Sequence, residues 1–196
     1  MGAIAPVPDF SESLQYDFLK SILEPTLKGI KAEGFDYHGF IFFGLMLVEN
    51  HCYMLEYNVR LGDPETQAVL PLMDFDLADL CEAILEGRDF SLSWKAGAVC
   101  APVAVADGYP GDYRKGDQIN FNVSAIEKTG AKIFISGAKT IAGIEGPVMQ
   151  TSGGRVLTVS AYGDNLEEAR TNAYNSLSHI HFEGMGFRVD IGLFQN

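Results

Sequence analysis

Three polar side chains recur at every second position of one predicted strand: Glu56, Asn58 and Arg60. Successive side chains of a strand point to opposite faces, so these three share one face. Apolar residues occupy the other face: Leu55, Tyr57, Val59 and Leu61. Glu56 and Asn58 would emerge about 7 Å apart at the backbone, and their oxygens could reach one hard cation. They suit a nucleotide-bound Mg²⁺, and Arg60 could clamp a phosphoryl or carboxylate group.

The alternative interpretation of this row is the solvated face of an edge strand, and periodicity alone favours it. Asn58 argues for a site, because asparagine is depleted in strands. The row also runs into a predicted helix N-terminus, which attracts anions. There Asp63 would be the N-cap, Pro64 the first helical residue and Glu65 a favourable charge at the positive end of the helix, which Pro71 would end.

The first half of the chain predicts helices around a β-hairpin. In chain order the elements are a helix capped by Ser11, interrupted at Pro25 and ended near Gly34; strands over 39–48 and 52–61; and a helix from Asp76 to Gly87. Phe40, Phe42 and Phe43 are assigned to the core, with adenine stacking as the alternative.

The second half is rich in predicted strands, so we expect two domains, residues 1–95 and 96–196, and an α+β fold. The predicted elements are strands over 98–106, 132–136 and 155–161, a helix that starts with a capping box at 164–167, and a short terminal strand at 187–192.

Composition excludes several classes of protein. A net charge of −12 with 14 scattered basic residues argues against nucleic acid as a partner. No apolar run approaches the roughly 20 residues of a membrane span. The three cysteines lie in apolar stretches, as expected of reduced thiols in the cytoplasm. Without a CxxC pair, and with His179 and His181 expected at the surface or as caps, a zinc site is not predicted.

The run LEYNVRLGDPETQ resembles the metal-binding segment of phosphoribosylamine glycine ligases (glycinamide ribonucleotide synthetases), ATP-grasp enzymes of purine synthesis. Other segments resemble the same family: MGAIAPVP, HGFIFFGLM, GYPGDYRKGD and TSGGRVLTVSAYGDNLEEAR. The resemblance implies that the first domain is the C-terminal part of an ATP-grasp domain, with the hairpin between flanking helices. The second would be the small α+β C-terminal domain of the ligase.

The implied reaction joins glycine to 5-phosphoribosylamine and gives glycinamide ribonucleotide, ADP and phosphate. By resemblance it passes through an acyl phosphate and needs ATP with Mg²⁺ or Mn²⁺. Glu56 and Asn58 would hold the metal, and Arg60 would neutralise charge on the transferring group as a catalytic residue. Asp63, Glu65 and Thr66 follow in the same signature as candidate substrate-binding residues, although Asp63 could be only a helix cap. Residues 39–48 lack the second acidic ligand that is common in the wider superfamily.

Two glycine-containing loops offer further cations. Arg114 and Lys115 follow the turn glycines of the loop 108–116, and Arg155 follows Ser152-Gly153-Gly154. Such a composition can wrap a phosphate, and a solvated turn is the alternative in both cases. All three are candidate substrate-binding residues.

The resemblance begins at Met1 and corresponds to roughly the C-terminal half of the enzyme. We therefore expect that the other half acts as a partner, in cis or as another chain, and that this chain alone lacks ligase activity. A proteolytic fragment, an internal start methionine and a split enzyme all remain open. The competing hypothesis is an inactive fragment that serves as a ligand-binding or assembly module.

Overall fold

The computed structural model describes residues 1–144 and 146–193. The α-helices are α1 (Glu12–Phe18), α2 (Glu24–Ala32), α3 (Thr66–Val69), α4 (Leu77–Glu86), α5 (Val123–Thr129) and α6 (Leu166–Leu177). The strands are β1 (Gly2–Ala5), β2 (Phe42–Val48), β3 (His51–Asn58), β4 (Ala98–Val105), β5 (Asn120–Phe121), β6 (Lys132–Ile135), β7 (Ala138–Gly143), β8 (Gly146–Thr151), β9 (Arg155–Gly163) and β10 (Ile180–His181). The predicted α+β class is confirmed. Within the described residues, no helix has the length and apolar character needed to cross a bilayer.

The chain forms two compact units, each assembled from separate stretches of sequence. Unit 1 comprises Met1–Pro6, Asp63–Met73 and the described residues from Trp94 onward. Unit 2 comprises Val7–Gly62 and Asp74–Ser93. The division into domains 1–95 and 96–196 stays a prediction.

Unit 1 is built on an antiparallel sheet with the strand order β1-β4-β9-β6. Its two central strands are buried over most of their length: β4 is apolar throughout, and β9 buries Thr158 and Ser160 beside its apolar residues. Helix α6 packs on them through Ala169 and Ala173, which have no exposed surface. A Cβ on Gly163 would lie 2.3 Å from the Ala169 nitrogen, so α6 sits close against the end of β9. The sheet thereby gives Arg155, at the start of β9, a rigid support.

The capping box of α6 is shifted by one residue from the predicted position. Asn165 is the N-cap, and its side-chain oxygen accepts a hydrogen bond from the Glu168 nitrogen at 3.0 Å. Glu168 in turn accepts from the Asp164 nitrogen at 2.8 Å. The predicted strand at 187–192 is wrong, since those residues form turns and irregular structure. The closing strand is instead β10, which pairs with β5.

Unit 2 packs α1 and α2 against the β2-β3 hairpin. Its apolar core has Leu14, Ile22 and Cys52 at its centre. The chain stays helical from α1 to α2 through a π-helical turn, Leu19–Leu23. Pro25 therefore does not break the helix; it lies in the first turn of α2, where its missing N–H costs least. The α4 ends match the prediction, since Asp76 accepts from the Ala78 nitrogen at 2.7 Å and Gly87 adopts φ 65°.

A carboxylate ties α1 to the hairpin. Asp17 Oδ2 accepts a hydrogen bond from the Cys52 nitrogen at 2.7 Å, and His51 Nδ1 lies 3.5 Å from Oδ1. The hydrogen bond from the Cys52 N–H is the main reason why the pKa of Asp17 lies below its usual value. This charge-assisted hydrogen bond ties α1 to the start of the strand that carries Glu56 and Asn58.

We expect the Asp17→Asn substitution to make the stability of unit 2 less dependent on pH in the acid range. The folded-state pKa of Asp17 is lowered, so its contribution is present above the ordinary aspartate value of about 3.9 and is lost as the pH falls below it. Hydrogen exchange of the Cys52 amide, followed as the pH is lowered, measures this. Glu33→Gln, at an exposed carboxylate of the same unit, is the control. An unchanged acid slope in Asp17→Asn would contradict the assignment.

Candidate active site

Glu56, Asn58 and Arg60 form one hydrogen-bonded row on the surface of unit 2. Arg60 Nη2 donates to Asn58 Oδ1 at 3.0 Å, and Asn58 Nδ2 donates to Glu56 Oε1 at 3.1 Å. Arg60 Nη1 also donates to the Leu61 carbonyl at 2.9 Å. Glu56 and Asn58 belong to β3, whereas Arg60 lies in a bend beyond its last residue. The three residue types that the sequence singled out are therefore in contact through their polar groups.

A β-bulge in β3 decides which way this row points. Gly44 pairs with Glu56 but Leu45 pairs with Met54, so Leu55 is an extra residue without a partner on β2. The alternation is interrupted there. Met54 packs into the core of unit 2, and after the bulge Tyr57 contacts Phe43 at 5.5 Å between ring centroids. Glu56 and Asn58 consequently face away from the helices, a consequence of the bulge that the sequence analysis did not foresee.

The oxygen donors of the row fit a Mg²⁺ or Mn²⁺ ion that takes most of its ligands from phosphate and water. Glu56 is exposed and Asn58 is half-buried, so a bound nucleotide could reach both. At present the Asn58 amide nitrogen faces Glu56 and its oxygen faces Arg60. A rotation of the amide group by half a turn would direct the oxygen toward a cation beside Glu56 and would break the hydrogen bond with Arg60. Within residues 1–144 and 146–193, no cluster of three or more His, Cys, Asp and Glu side chains could hold a metal. The row would thus supply a small protein share of the coordination shell.

Asp63 contacts Arg155 within unit 1. Arg155 Nη1 donates to the Asp63 carbonyl at 2.9 Å and lies 3.5 Å from Asp63 Oδ2. Gln67 Nε2 donates to the other carboxylate oxygen of Asp63 at 3.0 Å. The start of β9 and the first turn of α3 therefore hold one carboxylate from two directions. Asp63 and Arg155 were predicted from the sequence as site residues; Gln67 was not, although it ends the quoted signature.

The predicted start of α3 is wrong. The helix begins at Thr66 with Glu65 in the N-cap position and without a side-chain cap. Glu65, and not Asp63, stands in the N-cap position, and the Asp63 carboxylate contacts the Gln67 and Arg155 side chains. Pro64 lies before the helix and accepts from the Gln67 nitrogen at 3.2 Å. Glu65 and Thr66 are half-buried at this helix start.

The loop 108–116 packs against the glycines that precede Arg155, but its cations are engaged locally. A Cβ on Gly154 would lie 2.4 Å from the Tyr109 ring, so that ring covers the glycine. Arg114 Nη2 donates to Asp117 Oδ1 at 2.7 Å. Lys115 lies over the Tyr113 ring, 5.1 Å from its centroid. The structure therefore brings the two predicted phosphate loops together, while Arg114 and Lys115 each have a partner close by in the chain.

Two domain models of one protein family match this chain. The model of the phosphoribosylglycinamide synthetase ATP-grasp (A) domain matches residues 1–66, and that of the phosphoribosylglycinamide synthetase C domain matches residues 98–194. Together the two models cover most of the chain. The chain belongs to the phosphoribosylglycinamide synthetase family. The resemblance stated from the sequence is thus confirmed.

Individual members of the family match the chain along nearly its whole length. The chain is 46% identical to the phosphoribosylamine–glycine ligase of Clostridium acetobutylicum, over 98% of this chain and 45% of that protein. The crystal structure of phosphoribosylamine–glycine ligase from Thermotoga maritima superposes with a TM-score of 0.83 at 33% identity, over 97% of this chain and 46% of that one. The chain therefore spans about half the length of these relatives.

A more distant likeness concerns the fold alone. Biotin carboxylase from Campylobacter jejuni, solved as a β-γ-ATP complex, has a TM-score of 0.59 at 14% identity. It covers 97% of this chain, so the ATP-grasp fold expected from the sequence is confirmed. Asp63 lies in the segment of this chain that matches the A-domain model. Arg155 lies in the segment that matches the C-domain model. Their ion pair joins the two family segments inside unit 1.

We expect Arg155→Ala to loosen the segment from Asp63 to Gln67. The variant removes a hydrogen bond and an ion pair that are partly exposed, a loss of about 1 kcal/mol in local stability. Hydrogen exchange of the Gln67 and Val69 amides would speed up correspondingly. Arg114→Ala, which removes a cation bound to Asp117 in another loop, is the matched control and should leave these amides unchanged. Equal exchange rates in both variants would contradict the anchoring role of Arg155.

Proposed function

We propose that the chain contributes the C-terminal part of the active site of a phosphoribosylamine–glycine ligase. The proposed enzyme couples ATP cleavage to the joining of glycine and 5-phosphoribosylamine in purine biosynthesis. The single observation that carries the proposal is the hydrogen-bonded row of Glu56, Asn58 and Arg60. It places a carboxylate and an amide oxygen, both suitable metal ligands, beside a guanidinium group on a solvent-accessible face. The reaction uses water-soluble metabolites, and we expect the protein in the cytoplasm, where its three cysteines would stay free.

In this proposal the row acts by positioning and by neutralising charge. Glu56 and Asn58 would bind the Mg²⁺ or Mn²⁺ that accompanies ATP. Arg60 would face negative charge on the γ-phosphoryl group and on the acyl phosphate of glycine, from which the amine of phosphoribosylamine displaces phosphate. Phosphoryl and acyl transfer of this kind depend mainly on such alignment and electrostatic stabilisation.

Six residues remain proposed substrate contacts with differing support: Asp63, Glu65, Thr66, Arg114, Lys115 and Arg155. Asp63 and Arg155 support one another, and their exposed fractions near two fifths leave room for a ligand. Arg114 and Lys115 would first have to leave Asp117 and the Tyr113 ring. We therefore rank the Asp63–Arg155 pair above the two cations of the loop as a contact for a polar substrate.

We further propose that turnover needs the family polypeptide that the chain does not span. The hairpin of unit 2 exposes large apolar side chains: Met46, Val48, Leu55 and Val59 are each about half exposed or more. An apolar cavity of about 370 Å³ lies beside Tyr57 and Val59, with Ile30, Phe35 and Ile41 in its lining. Exposed apolar surfaces of this kind are normally covered by protein. We propose that the part of the relatives that this chain does not span supplies that covering protein. The family matches favour this interpretation over an inactive assembly module.

The decisive experiment is a chimaera in which this chain replaces the corresponding C-terminal part of the Clostridium acetobutylicum relative. We expect the chimaera to release ADP in the presence of ATP, Mg²⁺, glycine and phosphoribosylamine, and the 196-residue chain alone to release none. Formation of glycinamide ribonucleotide should accompany the ADP. A well-folded chimaera without turnover would favour the inactive module, and turnover by the chain alone would disprove the need for further polypeptide.

Within the chimaera, Glu56→Gln should weaken activation by Mg²⁺ on the order of tenfold or more, because a carboxylate–cation contact is lost. Titration of ADP release against Mg²⁺ concentration measures the effect. The control is Glu49→Gln, which changes an exposed carboxylate in the turn of the same hairpin. Identical Mg²⁺ dependence in the two variants would remove Glu56 from the site.

A further inference from the structure

Gly44 lies directly opposite Glu56 in the β2-β3 hairpin. A Cβ built on Gly44 would be 2.8 Å from Glu56 Cγ, 3.4 Å from the Glu56 carbonyl oxygen and 3.7 Å from Glu56 Cδ. All three nearest atoms belong to Glu56. The Glu56 side chain therefore lies across the bare backbone of Gly44, in space that any other residue would fill.

Backbone conformation does not explain this glycine. Gly44 does not have a positive φ, so any L residue could adopt its backbone conformation. The bulge does not require it either, because the extra residue, Leu55, belongs to the opposite strand. Glycine within a strand weakens it, and such positions often mark a close approach by another group. Here the approaching group is the Glu56 side chain.

A methyl group at position 44 would displace the carboxylate of Glu56. The predicted clash is with Cγ, which is fixed close to the backbone, so relief requires rotation about the first side-chain bond of Glu56. That rotation moves the carboxylate away from Asn58 Nδ2, which it now meets at 3.1 Å. Asn58 is in turn bound to Arg60, so the whole row depends on the space above Gly44.

We propose that Gly44 is a positioning residue that aims the Glu56 carboxylate along the row with Asn58. The inference rests on the proposed function in one respect, the role of Glu56 as a metal ligand. Its structural part, that Gly44 holds Glu56 and Asn58 together, stands on the hairpin geometry alone. The two parts can be tested separately.

The first test uses the 196-residue chain and needs no ligand. Gly44→Ala should shift the side-chain amide resonances of Asn58 in a ¹⁵N correlation spectrum, because their acceptor moves; Asn58→Asp assigns these resonances by their loss. The matched control is Gly29→Ala in α2, where a Cβ would meet nothing within 4 Å. An unshifted Asn58 side chain in a folded Gly44→Ala variant would overturn the proposal. The Cys52 amide reports that the hairpin still packs on α1.

The second test measures Mn²⁺ binding with ATP in the chimaera by electron paramagnetic resonance. Gly44→Ala should raise the Mn²⁺ dissociation constant roughly two- to tenfold, which corresponds to the cost of an off-rotamer side chain. The same change should have no effect in a Glu56→Gln background if Gly44 acts through the carboxylate. Equal effects in both backgrounds would mean a general distortion of the strand and would overturn the positioning role. Gly29→Ala should again leave binding unchanged.

The two tests separate this inference from the proposed function. If Glu56→Gln alone leaves Mn²⁺ affinity unchanged, the metal role of Glu56 fails, while the Asn58 resonances still decide whether Gly44 positions its side chain. If Glu56→Gln weakens binding and Gly44→Ala changes neither the affinity nor the resonances, the metal role stands and the positioning role of Gly44 is wrong.

Discussion

The antiparallel pairing of β2 with β3, with its single extra residue at Leu55, is the constraint on which the candidate site depends. Before the bulge, Cys52 and Met54 face the helices; after it, Tyr57 takes over that role against Phe43. A one-residue change in register reverses the faces of a strand. The bulge therefore allows β3 to direct Met54 and Tyr57 toward the same side of the hairpin while Glu56 and Asn58 face the other side.

The signature segment that follows the row is held by a different part of the molecule. Residues up to Gly62 belong to unit 2, and Asp63–Met73 belongs to unit 1, where the segment is anchored on β9. Arg155 at the start of that strand binds Asp63, and Ser160 Oγ further along it donates to the Gln67 carbonyl at 2.6 Å. Because β9 is buried over most of its length, it gives this anchor little freedom. One continuous signature is thus supported by two separate cores.

The sequence predicted the grouping of the three side chains in the row better than the architecture around them. Alternation placed Glu56, Asn58 and Arg60 together, and their hydrogen bonds agree with that grouping. It could not reveal the bulge, because an extra residue on β3 is defined only by its partners on β2. For the same reason Asp63 was taken for a helix cap: its real partner, Arg155, is 92 residues away in the chain. The strands β4 and β9 were predictable because both segments are short and rich in β-branched residues, which favours a strand over a helix.

Glycine positions show the same division between local and non-local information. Gly87 could be predicted, since a helix end calls for a left-handed residue and the chain supplies one. Gly44 could not, since its reason is the side chain of Glu56 on another strand. A two-stranded hairpin gains little stability from its own pairing, so a glycine in its middle is a real cost. Such a cost at the position facing the candidate metal ligand is understandable if selection has acted on the placement of the carboxylate and not on the strength of the strand.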